Sequence, residues 1–333
     1  MRNLLRLWLA IFVVSFCCKC YGQVPPGRFV WGINGHPLTQ LAYYQNIDDQ
    51  IDRLNDLKLK SYRFDVLLDS NGYAKKEQLF SQLLGRLKAN QITVLPVLMQ
   101  SGLKRLDNTA VYQKSYTQGQ NFAARYGKYL SVVEVNNEAD NKMMIPGDPS
   151  GTKKSDYNLE KSQRIIAAIK GFIDGLKSAK PAIKVTLSVS YIHYYYLQLL
   201  KDNNVNYDII GCHWYSNMGP IGAAKPHGDD VLAEFKKRFN KPVWVTEFNH
   251  SKGTGKVDFA KQNQYITESI PDMVSRGVTG LFIYELYDQP ALKEKDANEA
   301  YYGLVFKDDS GKFVTKDAYR GYRQIIESSA SQK

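Results

Sequence analysis

The 333-residue chain predicts a single closed (β/α)8 TIM barrel. Eight short apolar or β-branched runs alternate strictly with eight stretches of helical periodicity, the order that builds a parallel sheet with helices outside it. The run 92–99 is continuously apolar, as expected for a parallel strand buried on both faces. The segments after runs three, four, six and eight are long, whereas a return segment such as 239–241 is short. Long strand-to-helix loops build the functional face of a barrel. No Gly-x-Gly-x-x-Gly follows the first run, which counts against an open dinucleotide-binding sheet.

Each element has its own signature. The first strand, 29–34, ends before His36-Pro37; Thr39 can cap the next helix, in which Ile47, Ile51, Leu54 and Leu57 recur at helical spacing. Strand two spans 61–67, and the helix over 77–90 puts Leu79, Leu83, Leu84 and Leu87 on one face. Strand three is followed by a helix over 118–128. Strand four lies in Val133-Glu134-Val135-Asn136-Asn137-Glu138-Ala139-Asp140, where valines alternate with polar residues before an Asn-Glu pair. A long helix, 159–178, follows it. Strands over 184–191, 207–215, 242–248 and 280–287 complete the eight, with helices over 194–202, 229–238, 259–276 and 316–326. The long loops are 100–117, 141–158, 216–228 and 289–302.

Hydrophobic content of 44% and charge of 23% are ordinary globular values and supply a core. Aromatics reach 12%, with 23 tyrosines, most of which a core and surface absorb. Arg2 and Arg6 precede the apolar run 7–16, and Cys20-Tyr21-Gly22 offers a small-residue cleavage site. This reads as a signal peptide over 1–22, too short to span a bilayer, with the catalytic domain over 23–333. Secretion or export to a periplasm follows, with a lipid anchor at Cys17, Cys18 or Cys20 as the alternative. Phe16 and Lys19 are not the small neighbours such an anchor prefers. Cleavage leaves Cys212 alone, so the mature chain forms no internal disulfide. The net charge of +11 becomes +8 once Arg2, Arg6 and Lys19 are removed, an excess that could favour an acidic polysaccharide. The positives are scattered, which argues against nucleic acid as a partner. No integral membrane span is read, and a monomer is expected.

The chemistry sits at strand ends. Glu138 ends strand four, and Glu247 ends the β-branched run Pro242-Val243-Trp244-Val245-Thr246-Glu247-Phe248. Two glutamates at the ends of separate strands suit a retaining glycosidase, which needs one proton donor and one nucleophile. Arg63 and Asp65 share a parity on strand two, and His213 and Tyr215 share one on strand six, so each pair points to one side. Trp244, of opposite parity to Glu247, is expected against the helices. Glu134, one layer below Glu138, is expected in a structural ion pair with Arg63.

This constellation resembles the clan A glycoside hydrolases, retaining (β/α)8 enzymes near the cellulase-like families 5 and 39. The shared features are Asn-Glu ending strand four, Glu ending strand seven, His-x-Tyr on strand six and an arginine on strand two. The resemblance implies that Glu138 is general acid and then base, with a pKa raised by the Glu247 anion. Glu247 is implied as nucleophile, kept ionised by Tyr215 and Arg63. Asn137 is implied to donate to the sugar 2-hydroxyl, and His213 to bridge the glutamates and substrate. Ala139 stands where several of these families have proline, and Tyr284-Glu285-Leu286-Tyr287 stands where the clan often places a tryptophan platform. Tyr284 or Tyr287 is the replacement ring, or Glu285 contacts hydroxyls. Trp31 and Trp214 are further platform candidates, with core packing the alternative for each. His36, His193, His227 and His250 lack metal-ligand spacing and no Cys-His cluster exists, so no metal and no cofactor are expected. Asn249-His250-Ser251 matches a glycosylation acceptor, disfavoured beside Glu247. A non-catalytic glycan-binding barrel at the cell surface is the rival reading. It has no need for two glutamates together with His213 and Tyr215. A Schiff-base aldolase finds no lysine at a strand end, Lys142 lying just beyond strand four.

Overall fold

The computed structural model describes residues 29–331. The expected leader, 1–22, and its three cysteines lie outside the described residues. Eight parallel strands close into one barrel in sequence order: β1 Val30–Gly35, β2 Ser61–Leu67, β3 Thr93–Met99, β4 Val132–Val135, β5 Lys184–Ser190, β6 Ile209–Tyr215, β7 Val243–Asn249 and β8 Val278–Ile283. β1 pairs with β8 to complete the ring. Helices lie between the strands, and the expected (β/α)8 TIM barrel is the observed fold. Among the described residues no helix is long and apolar enough to cross a membrane.

Side-chain alternation divides the molecule into two cores. Outward-facing strand residues such as Val133, Val185, Ile210 and Cys212 pack against the helices in the main apolar cluster. Cys212 is a buried free thiol whose pKa burial pushes up. Inside the barrel, Leu95, Val132, Ile209 and Phe282 form a separate apolar floor with Val30 and Trp244 against it. Gly32 permits this floor, because a Cβ there would overlap the Phe282 ring.

Trp244 corrects one expectation. It packs beside Phe282, with ring centroids 5.8 Å apart, inside the barrel and away from the helices. The cause is an extra residue in β7: Cys212 pairs with Val245, but the next residue, His213, pairs with Glu247. The insertion of Thr246 reverses the alternation, so Trp244 and Glu247 both point inward despite their odd spacing. It also places Glu247 directly opposite His213.

The helices start where side-chain caps accept backbone N–H groups: Asp107 from Ala110, Asn158 from Lys161, Asp230 from Ala233 and Asp258 from Lys261. The Asp107 cap starts the helix Asn108–Tyr126 ten residues before the 118–128 expected from apolar spacing. It crosses the helix Leu159–Ala179 closely, and a Cβ on Gly119, Gly171 or Gly175 would strike facing backbone. The expected strand 280–287 ends at Ile283, and beyond it lies a hairpin not read from sequence, β9 Val305–Lys307 with β10 Phe313–Thr315. Buried Lys316 ties this region down through Asp288 Oδ1 and Thr254 Oγ1, both at 2.6 Å.

Candidate active site

The site begins with one buried arginine. Arg63 points inward from β2 and is 3% exposed. Its Nε and Nη2 donate to the two oxygens of fully buried Glu134 at 3.0 and 2.6 Å, the expected ion pair. Its Nη1 donates to Asn34 Oδ1 at 2.7 Å and to Glu247 Oε1 at 2.8 Å, and Nη2 reaches Asn137 Oδ1 at 2.9 Å. Burial alone would lower the proton affinity of this guanidinium, but Glu134 and Glu247 outweigh it and hold the charge. Asn34 in turn donates to the Thr246 carbonyl at 2.9 Å, satisfying a group at the β7 insertion.

Glu247 is 7% exposed and its second oxygen, Oε2, accepts from the Tyr215 hydroxyl at 2.8 Å. The Tyr215 ring stacks on Tyr302, centroids 5.7 Å apart. Glu138 arrives differently. β4 stops at Val135, and Asn136 (φ 61°) and Glu138 (φ 44°) turn through left-handed backbone before a short helix, Ala139–Met143. The Glu138 N–H donates to Ser188 Oγ at 2.9 Å, and Asn141 Nδ2 donates to Glu138 Oε2 at 3.1 Å. The glutamate is therefore fixed by a turn and its β5 neighbours, and not by strand alternation. Just behind it, Asp140 Oδ2 holds His193 Nδ1 at 2.6 Å and the Ser190 N–H at 2.8 Å, anchoring the same turn.

Fully buried His213 joins the two carboxylates. Its Nδ1 lies 2.8 Å from Glu138 Oε1 and 3.4 Å from Glu247 Oε2. Its Nε2 faces Arg63 Nη2 at 3.3 Å, so Nδ1 is the nitrogen that carries the proton toward Glu138. Burial lowers the His213 pKa, but Glu247 and Glu138 more than reverse this. For Glu138 the result differs from the expected rise. Burial does push its carboxyl up, yet the His213 hydrogen bond and charge, with smaller help from Ser190 and Arg63, outweigh burial and bring it to about 2. The Glu247 anion does not dominate because His213 stands between the two acids.

One ligand atom each from Glu138, His213 and Glu247 lie within 4.8 Å of one another, a spacing that could hold a cation. The Arg63 guanidinium already supplies positive charge to Glu247 from 2.8 Å.

The outer candidates divide. Trp31 packs at a tilt against Phe29 (4.2 Å) and edge-to-face against Tyr322 (6.0 Å) at the start of β1, at the opposite mouth of the barrel, so it is not a platform here. Trp214, between two inward-facing residues, points outward; it is fully buried, donates Nε1 to the Gly219 carbonyl at 2.9 Å and packs on Tyr191. Glu285 is fully buried as well, accepting from Tyr43 and from Gln289 (2.6 Å), and burial pushes its carboxyl well up. It does not reach substrate hydroxyls. Tyr287 stacks on Phe313 beneath the hairpin. Tyr284 does reach the mouth: its hydroxyl donates to Glu299 Oε1 at 2.7 Å and meets His36 Nε2 at 3.2 Å. Asn249 is fully buried, bonded to the Tyr302 carbonyl, and so closed to glycosylation. Sequence reasoning missed Asn34, Ser188, Tyr302 and Glu299. Asn34 shares inward parity with its neighbour His36, the one available signal; the others needed the fold.

Residues 118–302 match the family model of the glycosyl hydrolase catalytic core, more than half the chain. The chain belongs to this glycosyl hydrolase family. Solved structures with the same fold include the β-glycosidase BGL167, at 15% identity and a TM-score of 0.61 over 92% of this chain and 97% of that one. The virulence factor SghA from Agrobacterium tumefaciens aligns at 14% identity, TM-score 0.64, over 90% of this chain and 97% of its own. A β-glucosidase from Thermotoga maritima aligns at 12% identity, TM-score 0.67, covering 91% and 98%. No curated protein matches the sequence. The glycosyl hydrolase is thus a glycosidase by family, with a carbohydrate as its substrate.

Two outcomes test the site's electrostatics. Arg63→Met should cost about 3–5 kcal/mol in chemical denaturation by stranding buried Glu134, and Glu134→Met added to it should restore most of that loss. A single-variant cost below about 1 kcal/mol contradicts the central ion pair. By carbon-13 NMR, the Glu138 carboxyl should stay ionised from neutral pH down to about 2. Its contribution to stability is therefore present above the unfolded carboxylate pKa and lost as the pH falls toward about 2. His213→Ala should move this titration upward; a wild-type Glu138 titrating above the ordinary range contradicts the His213 contact.

Proposed function

We propose that this glycosidase hydrolyses O-glycosidic bonds of a polysaccharide or oligosaccharide with retention, by double displacement. The observation that carries the reading is the convergence of Glu138 and Glu247 across one pocket, with His213 between them and atoms of all three within 4.8 Å. Retaining enzymes hold their two carboxyl groups about 5–5.5 Å apart, whereas inverting ones leave room for a water. Glu247, ion-paired to Arg63 and hydrogen-bonded by Tyr215, attacks the anomeric carbon. Glu138 protonates the departing oxygen. Asn137, its Oδ1 engaged by Arg63, turns its amide donor toward the sugar 2-hydroxyl.

The low Glu138 pKa makes the free enzyme the base form. Entry of a sugar removes water from Glu138, which raises its proton affinity. The His213 Nδ1 bond can pass from Glu138 to Glu247 Oε2, 3.4 Å away, freeing Glu138 to take a proton from solvent. Once Glu247 carries the glycosyl group and Glu138 has given up its proton, His213 returns to Glu138. Ionised Glu138 then takes a proton from the attacking water, and Glu247 is released as carboxylate. The β-glycosidase neighbours make a β-linked glycan the first substrate class to test. The basic, apolar stretch at 1–22 supports export of the enzyme, and the N-terminal residue of the exported protein reports on it.

Glu138→Gln should lower turnover of an unactivated glycan by roughly 10²–10⁴-fold, about 3–5 kcal/mol of barrier. A glycan-panel digest followed by proton NMR should show the first-formed product with the anomeric configuration of the substrate. Unchanged rates remove Glu138 from its role, and an inverted product removes the double displacement. Binding of glycans without cleavage by the wild type would instead favour a glycan-capture barrel.

A further inference from the structure

One arc of the barrel mouth carries polar side chains that the proposed displacement does not use. Asn34 and His36 share a parity at the end of β1, as Arg63 and Asp65 do on β2, and Asn34 meets Arg63 inside the barrel. His36 and Asp65 therefore face the same axis one step nearer the opening. His36 is 9% exposed; its Nε2 lies 3.2 Å from the Tyr284 hydroxyl and 3.4 Å from Glu285 Oε2, while its Nδ1 makes no hydrogen bond among the described residues and stands 3.7 Å from Asp65 Oδ2. Tyr284 continues the chain to Glu299, so four side chains run from β2 across β1 and β8 to the following loop. Glu247 on β7 is close enough to act electrostatically on His36, Tyr284 and Glu299.

Its charge is one-sided. Burial brings the His36 pKa down to about 4, with Arg63 opposing the pull of Glu247, so the ring is neutral at pH 7. Among the described residues neither Asp65 nor Glu299 forms an ion pair with a lysine or arginine. Burial pushes both carboxyls upward. Asp65 is partly open, with its side chain 35% exposed, and among the described residues it accepts no hydrogen bond. The result is a wall of acceptors with an unfilled donor requirement.

We propose that Asp65, His36, Tyr284 and Glu299 are the specificity-determining wall of the sugar site, selecting an uncharged, hydroxyl-bearing ring and rejecting a uronic acid. The inference rests on the glycosidase reading of the same site. A sugar hydroxyl placed over the 3.7 Å pair of His36 Nδ1 and Asp65 Oδ2 is within reach of both, and further hydroxyls satisfy the remaining carboxylate oxygens. A carboxylate on the sugar would instead face two acids, while the nearby Arg63 is already committed to Glu134 and Glu247, a like-charge arrangement that disfavours an anionic ring. The net positive charge of the chain, which points toward acidic glycans, is absent from this wall.

The test is calorimetric titration of the wild type, Asp65→Asn and Glu299→Gln with glucoimidazole and with its glucuronic counterpart. The wild type should bind the neutral probe at least about 30-fold more tightly, since a site built for hydroxyl donors rejects a mismatched group strongly. Asp65→Asn should weaken neutral binding about 10-fold and narrow the preference, with Glu299→Gln acting in the same direction, through loss of charged acceptors. Equal or tighter binding of the uronic probe, no binding of the neutral one, or a ratio unchanged in variants with wild-type circular dichroism and melting overturns the proposal. The ratio is independent of stereochemical outcome. An enzyme that inverts yet keeps the predicted ratio refutes the double displacement and upholds the wall.

Discussion

The whole upper half of the barrel is built on the partners of one buried cation. Arg63 is held in a forked contact by Glu134 from β4, and its remaining donors reach Glu247 from β7, Asn34 from β1 and Asn137 after β4. A guanidinium is suited to this because its donors are fixed in a plane and it does not lose its proton. A lysine at the same place would offer a point charge and could not fix four partners at once. The desolvation that such a group suffers is offset only when every donor is used, which is why the neighbouring side chains are so tightly specified. Below it lies the apolar floor; above it Glu138, His213 and Glu247 converge.

That arrangement sets the electrostatic character of the two glutamates differently. Glu247 lies directly on the arginine and takes a tyrosine hydroxyl as well. Glu138 lies one step away and answers to His213. Two carboxylates in one pocket with unlike partners can take unlike roles, which is the general route by which a single fold runs acid and base chemistry at one pH. Here the distinction resides in one histidine nitrogen within reach of both acids, 2.8 Å from Glu138 and 3.4 Å from Glu247.

Much of this was legible in the sequence. Strand alternation correctly put Arg63 with Asp65, and His213 with Tyr215, on one side of their strands, because each pair lies in a run long enough for its period to show. Glu247 was placed by its position at a strand end. The same reasoning failed for Trp244, since the Thr246 insertion leaves no mark on composition, and for the helix Asn108–Tyr126, whose start is set by a polar cap and not by apolar spacing. Trp31 and Trp214 were ambiguous because a ring's identity does not say which end or side of a strand it occupies; Trp31 lies at the wrong end and Trp214 on the wrong side. The direction of the Glu138 pKa was misread for a related reason. The resemblance names His213 as the bridge between the acids but leaves the electrostatics of Glu138 to the Glu247 anion. The close His213 Nδ1 contact that reverses the shift joins residues 75 apart along the chain and shows only in the fold. His36, Asp65 and Glu299 come together only when β1, β2 and the loop after β8 are brought side by side.

Double displacement requires that Glu247 become covalently bonded to the sugar. Incubation with 2,4-dinitrophenyl 2-deoxy-2-fluoroglycosides, followed by intact-mass and peptide mass spectrometry, tests it most directly. A single added fluoroglycosyl group on the peptide containing Glu247, absent in Glu247→Gln, is the predicted result. Labelling of Glu138 or another carboxylate, or turnover of the probes with no covalent species at any time point, would contradict it.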